Sequence, residues 1–92
     1  MPEARGVFSI YDMFFVYQLQ SIEHPSERYT GLTKDVDARL LAHNNGQSPH
    51  TAKRKPWRLV NYFAFSNEST ARAFEAYLKT GSGRAFAKKR LW

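Results

Sequence analysis

Five side chains of this 92-residue sequence have types and separations suited to chemistry: the phenols of Tyr17 and Tyr29, the guanidinium of Arg39, the imidazole of His43 and the carboxylate of Glu75. An arginine can make two parallel hydrogen bonds to a phosphate and keeps its charge at any working pH. His43 lies four residues beyond Arg39, so in a helix the two share a face. Histidine moves protons near neutrality. A tyrosine, with an ordinary pKa of ~10, becomes a base only where neighbouring cations lower that value. A single carboxylate is a sensible magnesium ligand, because magnesium keeps several of its waters. Such a set suits proton transfer and charge stabilisation at an anionic centre. Each residue also has a plain structural reading. Tyr17 fits a core aromatic, Tyr29 a β-former, Arg39 a surface partner of Asp35, His43 a helix C-terminal cation, and Glu75 an i,i+4 partner of Lys79.

Four of the five lie between Phe14 and His43. Phe14–Gln20 alternates, with Phe15, Tyr17 and Leu19 on one face and Phe14, Val16 and Gln18 on the other, which predicts a strand. Glu23–Glu27 is polar, contains Pro25 and reads as a turn. Arg28–Leu32 is short and β-rich, and Gly31 within it predicts a bulge or a close backbone approach. Together these form an antiparallel hairpin that sets Tyr17 and Tyr29 on neighbouring strands. Thr33 or Asp35 caps the following helix, which buries Val36 and Leu40 and stops at Asn44-Asn45-Gly46. Gln47–Pro56 is a polar, basic loop.

Trp57–Phe65 is a third strand, with Leu59, Phe63 and Phe65 on one face and Val60, Tyr62 and Ala64 on the other. Apolar residues on both faces predict that it is the central strand. A second helix opens at Ser66-Asn67 with Ala71, Phe74 and Leu78 as its buried stripe and Glu75 at the stripe's edge. Thr80–Gly83 breaks it, and Arg84–Trp92 reads as a short basic helix with Phe86, Ala87 and Leu91 inward. The expected fold is α+β, a small three-stranded antiparallel sheet flanked by helices in the order β-β-α-β-α-α, over residues 14–92. Residues 1–13 are expected to form an N-terminal arm.

Fourteen Lys and Arg against eight Asp and Glu give a formal charge of +6. That balance favours a polyanionic partner. The absence of cysteine excludes disulfides and thiolate metal sites and favours the cytoplasm. No apolar run approaches the ~20 residues of a membrane span, and the first residues lack signal-peptide order.

Phe15-Val16-Tyr17 and Tyr29-Thr30-Gly31, with eleven residues between them, resemble the paired tripeptides of the GIY-YIG nuclease superfamily. The similarity continues through Asp35–Asn44 and Phe74–Lys79. It is closest to small stand-alone proteins related to the N-terminal incision domain of the excinuclease C subunit. The resemblance implies hydrolysis of DNA phosphodiester bonds with one Mg²⁺ or Mn²⁺, in repair, recombination or processing. It assigns the water to Tyr17 and Tyr29, the phosphate to Arg39, proton relay or phosphate binding to His43 and the metal to Glu75. Gly31 would leave room for the phosphate at the sheet edge. Lys34, Lys53, Arg54, Lys55, Arg58, Arg84, Lys88, Lys89 and Arg90 would hold the backbone of the nucleic acid without reading its sequence. Leu32 stands where the incision domain carries a lysine, leaving Lys34 as the nearest cation, and no asparagine follows Asn67. Specificity is left to the structure of branched or damaged DNA or to a partner protein. The alternatives are a basic binding module without catalysis and an accessory subunit of a repair complex.

Overall fold

The computed structural model describes residues 9–92. Most of the arm expected over residues 1–13 lies outside them; Ile10–Asp12 form a 3₁₀ turn capped by Ser9. The elements are β1 (Phe14–Ser21), β2 (Arg28–Thr33), α1 (Val36–Asn44), β3 (Trp57–Phe65), α2 (Glu68–Leu78) and α3 (Gly81–Arg90). This is the expected α+β order, with one further 3₁₀ turn at Ala52–Arg54 inside the basic loop.

The sheet is antiparallel throughout, in the order β2-β1-β3. β1 is therefore the central strand, and the expectation that β3 fills that place is corrected. The burial explains why. Val16, Tyr17, Gln18 and Leu19 are all essentially inaccessible, whereas Tyr62 on β3 remains 48% exposed. β3 is apolar on both faces because its aromatics pack along the rim, with Phe63 and Phe65 against Phe74 and Tyr62 edge-on to Phe15.

A bulge interrupts the β1–β3 ladder. Gln18 faces Asn61 but Leu19 faces Leu59, so Val60 is the extra residue. Alternation restarts there. Leu59 joins the Tyr17 and Leu19 face, and Phe63 and Phe65 lie with Val16 and Phe14 on the other. The three do not share a face as simple alternation predicts.

Helices cover both faces. α1 lays Val36 and Leu40 against Tyr17, Leu19 and Trp57. α2 and α3 bring Ala71, Leu78 and Ala87 onto Val16. Asp35 caps α1 by accepting from the Ala38 amide at 3.0 Å, and Gly46, with φ 75°, follows its C-terminus. α3 begins at Gly81, three residues before the expected start, with Thr80 as its cap. Gly83 is inside the helix because a Cβ there would run into the Tyr77 carbonyl. The glycines thus allow a tight α2–α3 corner rather than ending order. Phe86 does not turn inward; it is exposed and lies against Tyr77. No helix among the described residues is long and apolar enough to cross a membrane.

Candidate active site

The centre of the site is a polar chain inside the α1 face. Tyr17 projects from β1 and His43 from the last turn of α1, and the phenol oxygen lies 2.8 Å from His43 Nε2. His43 Nδ1 lies 2.7 Å from Thr51 Oγ1, and that hydroxyl donates at 3.4 Å to the Ser48 carbonyl. Tyr17, His43 and Thr51 are all buried. Buried polar groups of this kind hold their geometry because each unmade bond costs about 1–3 kcal/mol.

The surrounding structure fixes this chain from three sides. Asn44, next to His43, donates to the Trp57 carbonyl at 3.0 Å and accepts from the Trp57 amide at 2.6 Å, tying the end of α1 to the start of β3. The Trp57 indole donates to the Thr51 carbonyl at 2.9 Å and holds the loop over the histidine. Tyr29, half-buried on β2, completes a triangle of rings, with centroids 4.9 Å from His43 and 6.1 Å from Tyr17. Arg39 stands one helical turn before His43, and its charge acts on both the Tyr17 phenol and the His43 ring. The Asp35 partner that a plain surface reading offers Arg39 is not engaged by it; the Asp35 carboxylate caps α1 instead.

Gly31 pairs with Tyr17 across the β1–β2 ladder, which is regular at that point. A Cβ on Gly31 would lie 2.5 Å from the Tyr17 hydroxyl oxygen and 2.6 Å from Cζ. Its lack of a side chain makes room for the phenol. The bulge expected there is absent.

The electrostatics assign the protons. Burial raises the Tyr17 phenol above its ordinary 10.0; Arg39 pulls the other way without overcoming it, and Tyr29 adds to the rise. A tyrosinate base lowered by cations is therefore not what this environment produces. Burial, and then the charge of Arg39, lower the His43 imidazole below its ordinary 6.5, so it is neutral at pH 7.

Glu75 lies apart from this chain. It sits on α2, the helix that covers the opposite face, and its Oε2 accepts from Lys79 Nζ at 3.0 Å. Among the described residues, no hydrogen bond or ion pair joins it to Tyr17, Tyr29, Arg39 or His43. Four of the five chemical residues are brought together, and the acid keeps the helical lysine that its spacing offers.

The basic residues separate likewise. Arg84 and Lys88 on α3 join Arg28 and Lys79 around a cavity of about 480 Å³, which Gln18, Thr30 and Trp92 also line. Among the described residues no Asp or Glu lines it, and the Arg28 guanidinium lies 4.7 Å from the Trp92 ring centroid. Neither Arg28 nor Trp92 stands out in the sequence, because strand β2 and the last residue meet only in the folded chain. Lys53, Arg54 and Lys55 are exposed on the loop over the α1 face. Arg58 donates to Gln20 at 2.6 Å, and Lys34 lies over the Phe14 ring at 4.6 Å. Lys89 and Arg90 are exposed on α3. Thr51 was also hidden from sequence reasoning: nothing in QSPHTAKRKP distinguishes it from its neighbours.

A family model described as the GIY-YIG catalytic domain matches residues 13–90. The chain belongs to the GIY-YIG family. It is similar to a UPF0213 protein of Staphylococcus epidermidis, 37% identical over 70 residues, which cover 75% of this chain and 83% of that protein. A UPF0213 protein of Clostridium perfringens is 37% identical over 68 residues, 73% of this chain and 71% of its own length. One from Staphylococcus saprophyticus is 42% identical over 55 residues, 59% and 67% of the two chains. The hairpin tyrosines and the Arg39/His43 helix of this GIY-YIG domain are thus set in a nuclease-type fold.

Among the described residues, no three His, Asp or Glu side chains cluster as a closed metal cage. Glu75 fits a looser site. It is partly exposed, and only Oε2 is engaged. A hydrated magnesium or manganese ion needs little more from a protein than one such carboxylate.

Proposed function

We propose that this GIY-YIG protein is a divalent-metal-dependent endonuclease that hydrolyses phosphodiester bonds in DNA, in repair, recombination or processing in the cytoplasm. The observation that carries the reading is the 2.8 Å contact between the Tyr17 phenol and a neutral His43, with Arg39 alongside. The Tyr17 oxygen takes a proton from the attacking water while its own proton passes to His43 Nε2. Tyr17 is neutral before and after, so its raised pKa is no obstacle, and the imidazole is the net base. Arg39 stabilises the charge gathering on the phosphorus oxygens. The Tyr29 hydroxyl orients the water or the phosphate.

Glu75 would hold the cation once Lys79 releases its carboxylate. Tyr29 belongs both to the ring triangle and to the lining of the cavity that Lys79 shares, so the bound backbone would pass the β2 edge to bring one phosphate within reach of Arg39 and Glu75. A bound Mg²⁺ or Mn²⁺ supplies positive charge to the leaving oxygen. The cavity of Arg28, Lys79, Arg84 and Lys88 supports backbone binding, and the exposed Lys53–Lys55 loop adds charge on the other side. Target choice is left to DNA structure or to a partner protein.

One observation favours a different reading. Lys79 already satisfies Glu75, as in a basic binding module that needs no metal. Purified protein incubated with supercoiled plasmid and with branched or flapped DNA separates the two, with Mg²⁺ or Mn²⁺ against EDTA. The nuclease reading expects metal-dependent nicking that Glu75→Ala and Arg39→Ala abolish. Retention of DNA without nicking under either metal supports the binding module.

A further inference from the structure

We propose that Thr51 is a positioning residue that fixes the tautomer of His43, keeping the ring proton on Nδ1 and the lone pair of Nε2 toward the Tyr17 hydroxyl. This rests on the reading of Tyr17 and His43 as a proton relay, and it names the group that gives the relay its direction.

The chain Tyr17–His43–Thr51–Ser48 has three members able both to donate and to accept, and one that only accepts. That one is the Ser48 carbonyl, 3.4 Å from Thr51 Oγ1. If the Thr51 hydroxyl donates to it, the hydroxyl oxygen must accept from His43 Nδ1–H at 2.7 Å. Nε2 is then bare and accepts from the Tyr17 O–H at 2.8 Å.

At the opposite end the Arg39 guanidinium offers the Tyr17 oxygen donors only and the Tyr29 hydroxyl can serve either way, so the Ser48 carbonyl is the member that sets the direction. The groups facing His43 are Tyr17 from β1, Tyr29 from β2, Arg39 from α1 and Thr51 from the loop. None of these is a carboxylate, so the hydroxyl of Thr51 does the orienting that an acid or carbonyl often does for histidine.

The loop is built to hold this hydroxyl. Thr51 is 1% exposed. Its amide donates to the Ser48 carbonyl at 3.1 Å and its carbonyl accepts the Trp57 indole at 2.9 Å. When the ring takes the second proton from Tyr17, the same oxygen continues to accept Nδ1–H. The water loses one proton to Tyr17, Tyr17 passes one to His43, and hydroxide and imidazolium result.

The test combines ring-nitrogen NMR of the full-length chain with nicking assays on Thr51→Val and Thr51→Ser. Wild type and Thr51→Ser are expected to show the proton on Nδ1. Thr51→Val removes the acceptor, so the proton moves to Nε2. Its nicking falls about 10- to 100-fold, less than removing the base itself would cause. Its acidic limb moves to lower pH, because the imidazolium has lost a partner. A variant that is merely looser would lower the rate without moving the tautomer or the limb. A wild-type ring protonated on Nε2 overturns the proposal. So does a Thr51→Val protein with wild-type tautomer and limb, or a Thr51→Ser protein that behaves like it. If Thr51→Val does not fold, the wild-type and Thr51→Ser spectra decide. If the wild type nicks no DNA, the nuclease reading falls and the spectra still decide the tautomer.

Discussion

The two faces of the sheet bury side chains of different kinds. Under α1 lie two tyrosines, a histidine and a threonine, with Leu19 and Trp57 as the apolar part. Under α2 and α3 lie Val16, Ala71, Leu78 and Ala87, ringed by Phe14, Phe65 and Phe74. The apolar face needs only volume and shape, and stabilises the fold through burial. The polar face needs direction as well, since each hydrogen bond has a donor end and an acceptor end. β1 serves both, with Tyr17 pointing to one face and Val16 to the other. Adjacent residues of one strand therefore answer to different constraints, and substitutions should separate them.

The largest contrast is expected from Tyr17→Phe, which keeps the ring and removes the relay. Nicking should fall about 10²- to 10⁴-fold, the span of a positioned proton-transfer group. A thermal melt at pH 7.5 should show that the variant remains folded. Leu78→Ala, across the sheet, should do the reverse. It is expected to cost about 2–5 kcal/mol in a denaturant titration, while the folded fraction keeps its nicking to within a small factor, since Leu78 lines the Lys79 cavity but brings no polar group to it. Gly31→Ala should strike both properties. The new Cβ pushes on the Tyr17 hydroxyl, at a cost of about 1–3 kcal/mol for overpacking, and nicking falls because the oxygen can no longer reach its place.

The smallest effect is in pH. The folded His43 resists protonation more than the unfolded chain does, so the unfolded chain binds more protons below the ordinary 6.5. Stability present above that value is lost as the pH falls from it toward the lowered folded pKa. Melts at pH 7.5 and 5.5 should show this loss in the wild type and a smaller one in His43→Asn. An equal loss in both proteins would mean that the two faces do not differ in this way.

The elements legible in the sequence were those whose signals are local. The hairpin, the Asp35 cap, the Gly46 stop and the i,i+4 pairing of Arg39 with His43 all act over a few residues. The four site residues from the hairpin and α1 could be assembled for that reason, with the tripeptide resemblance to assign their roles. What was missed depends on distant partners. An edge strand lined by aromatics looks like a central one until its neighbours are known, so β3 displaced β1. Gly-Ser-Gly reads as an end of order, and only the Tyr77 carbonyl shows that Gly83 permits contact. Glu75 was legible as a helical acid; Lys79, already bonded to it, was the plain alternative. Thr51 and the Arg28–Trp92 contact had no local signature.

The unpaired Val60 opposite Gln18 and Leu19 is what sets Trp57 and Leu59 on the face they share with Leu19. Were Val60 drawn into the ladder opposite Leu19, every residue before it would slip by one and both side chains would turn to the other face. The indole that anchors the Thr51 carbonyl would then point away from the histidine. A slip of one residue, some distance from either tyrosine, would thus disable the centre, whereas loss of Val60 itself would leave Leu59 opposite Leu19 and Trp57 opposite Ser21.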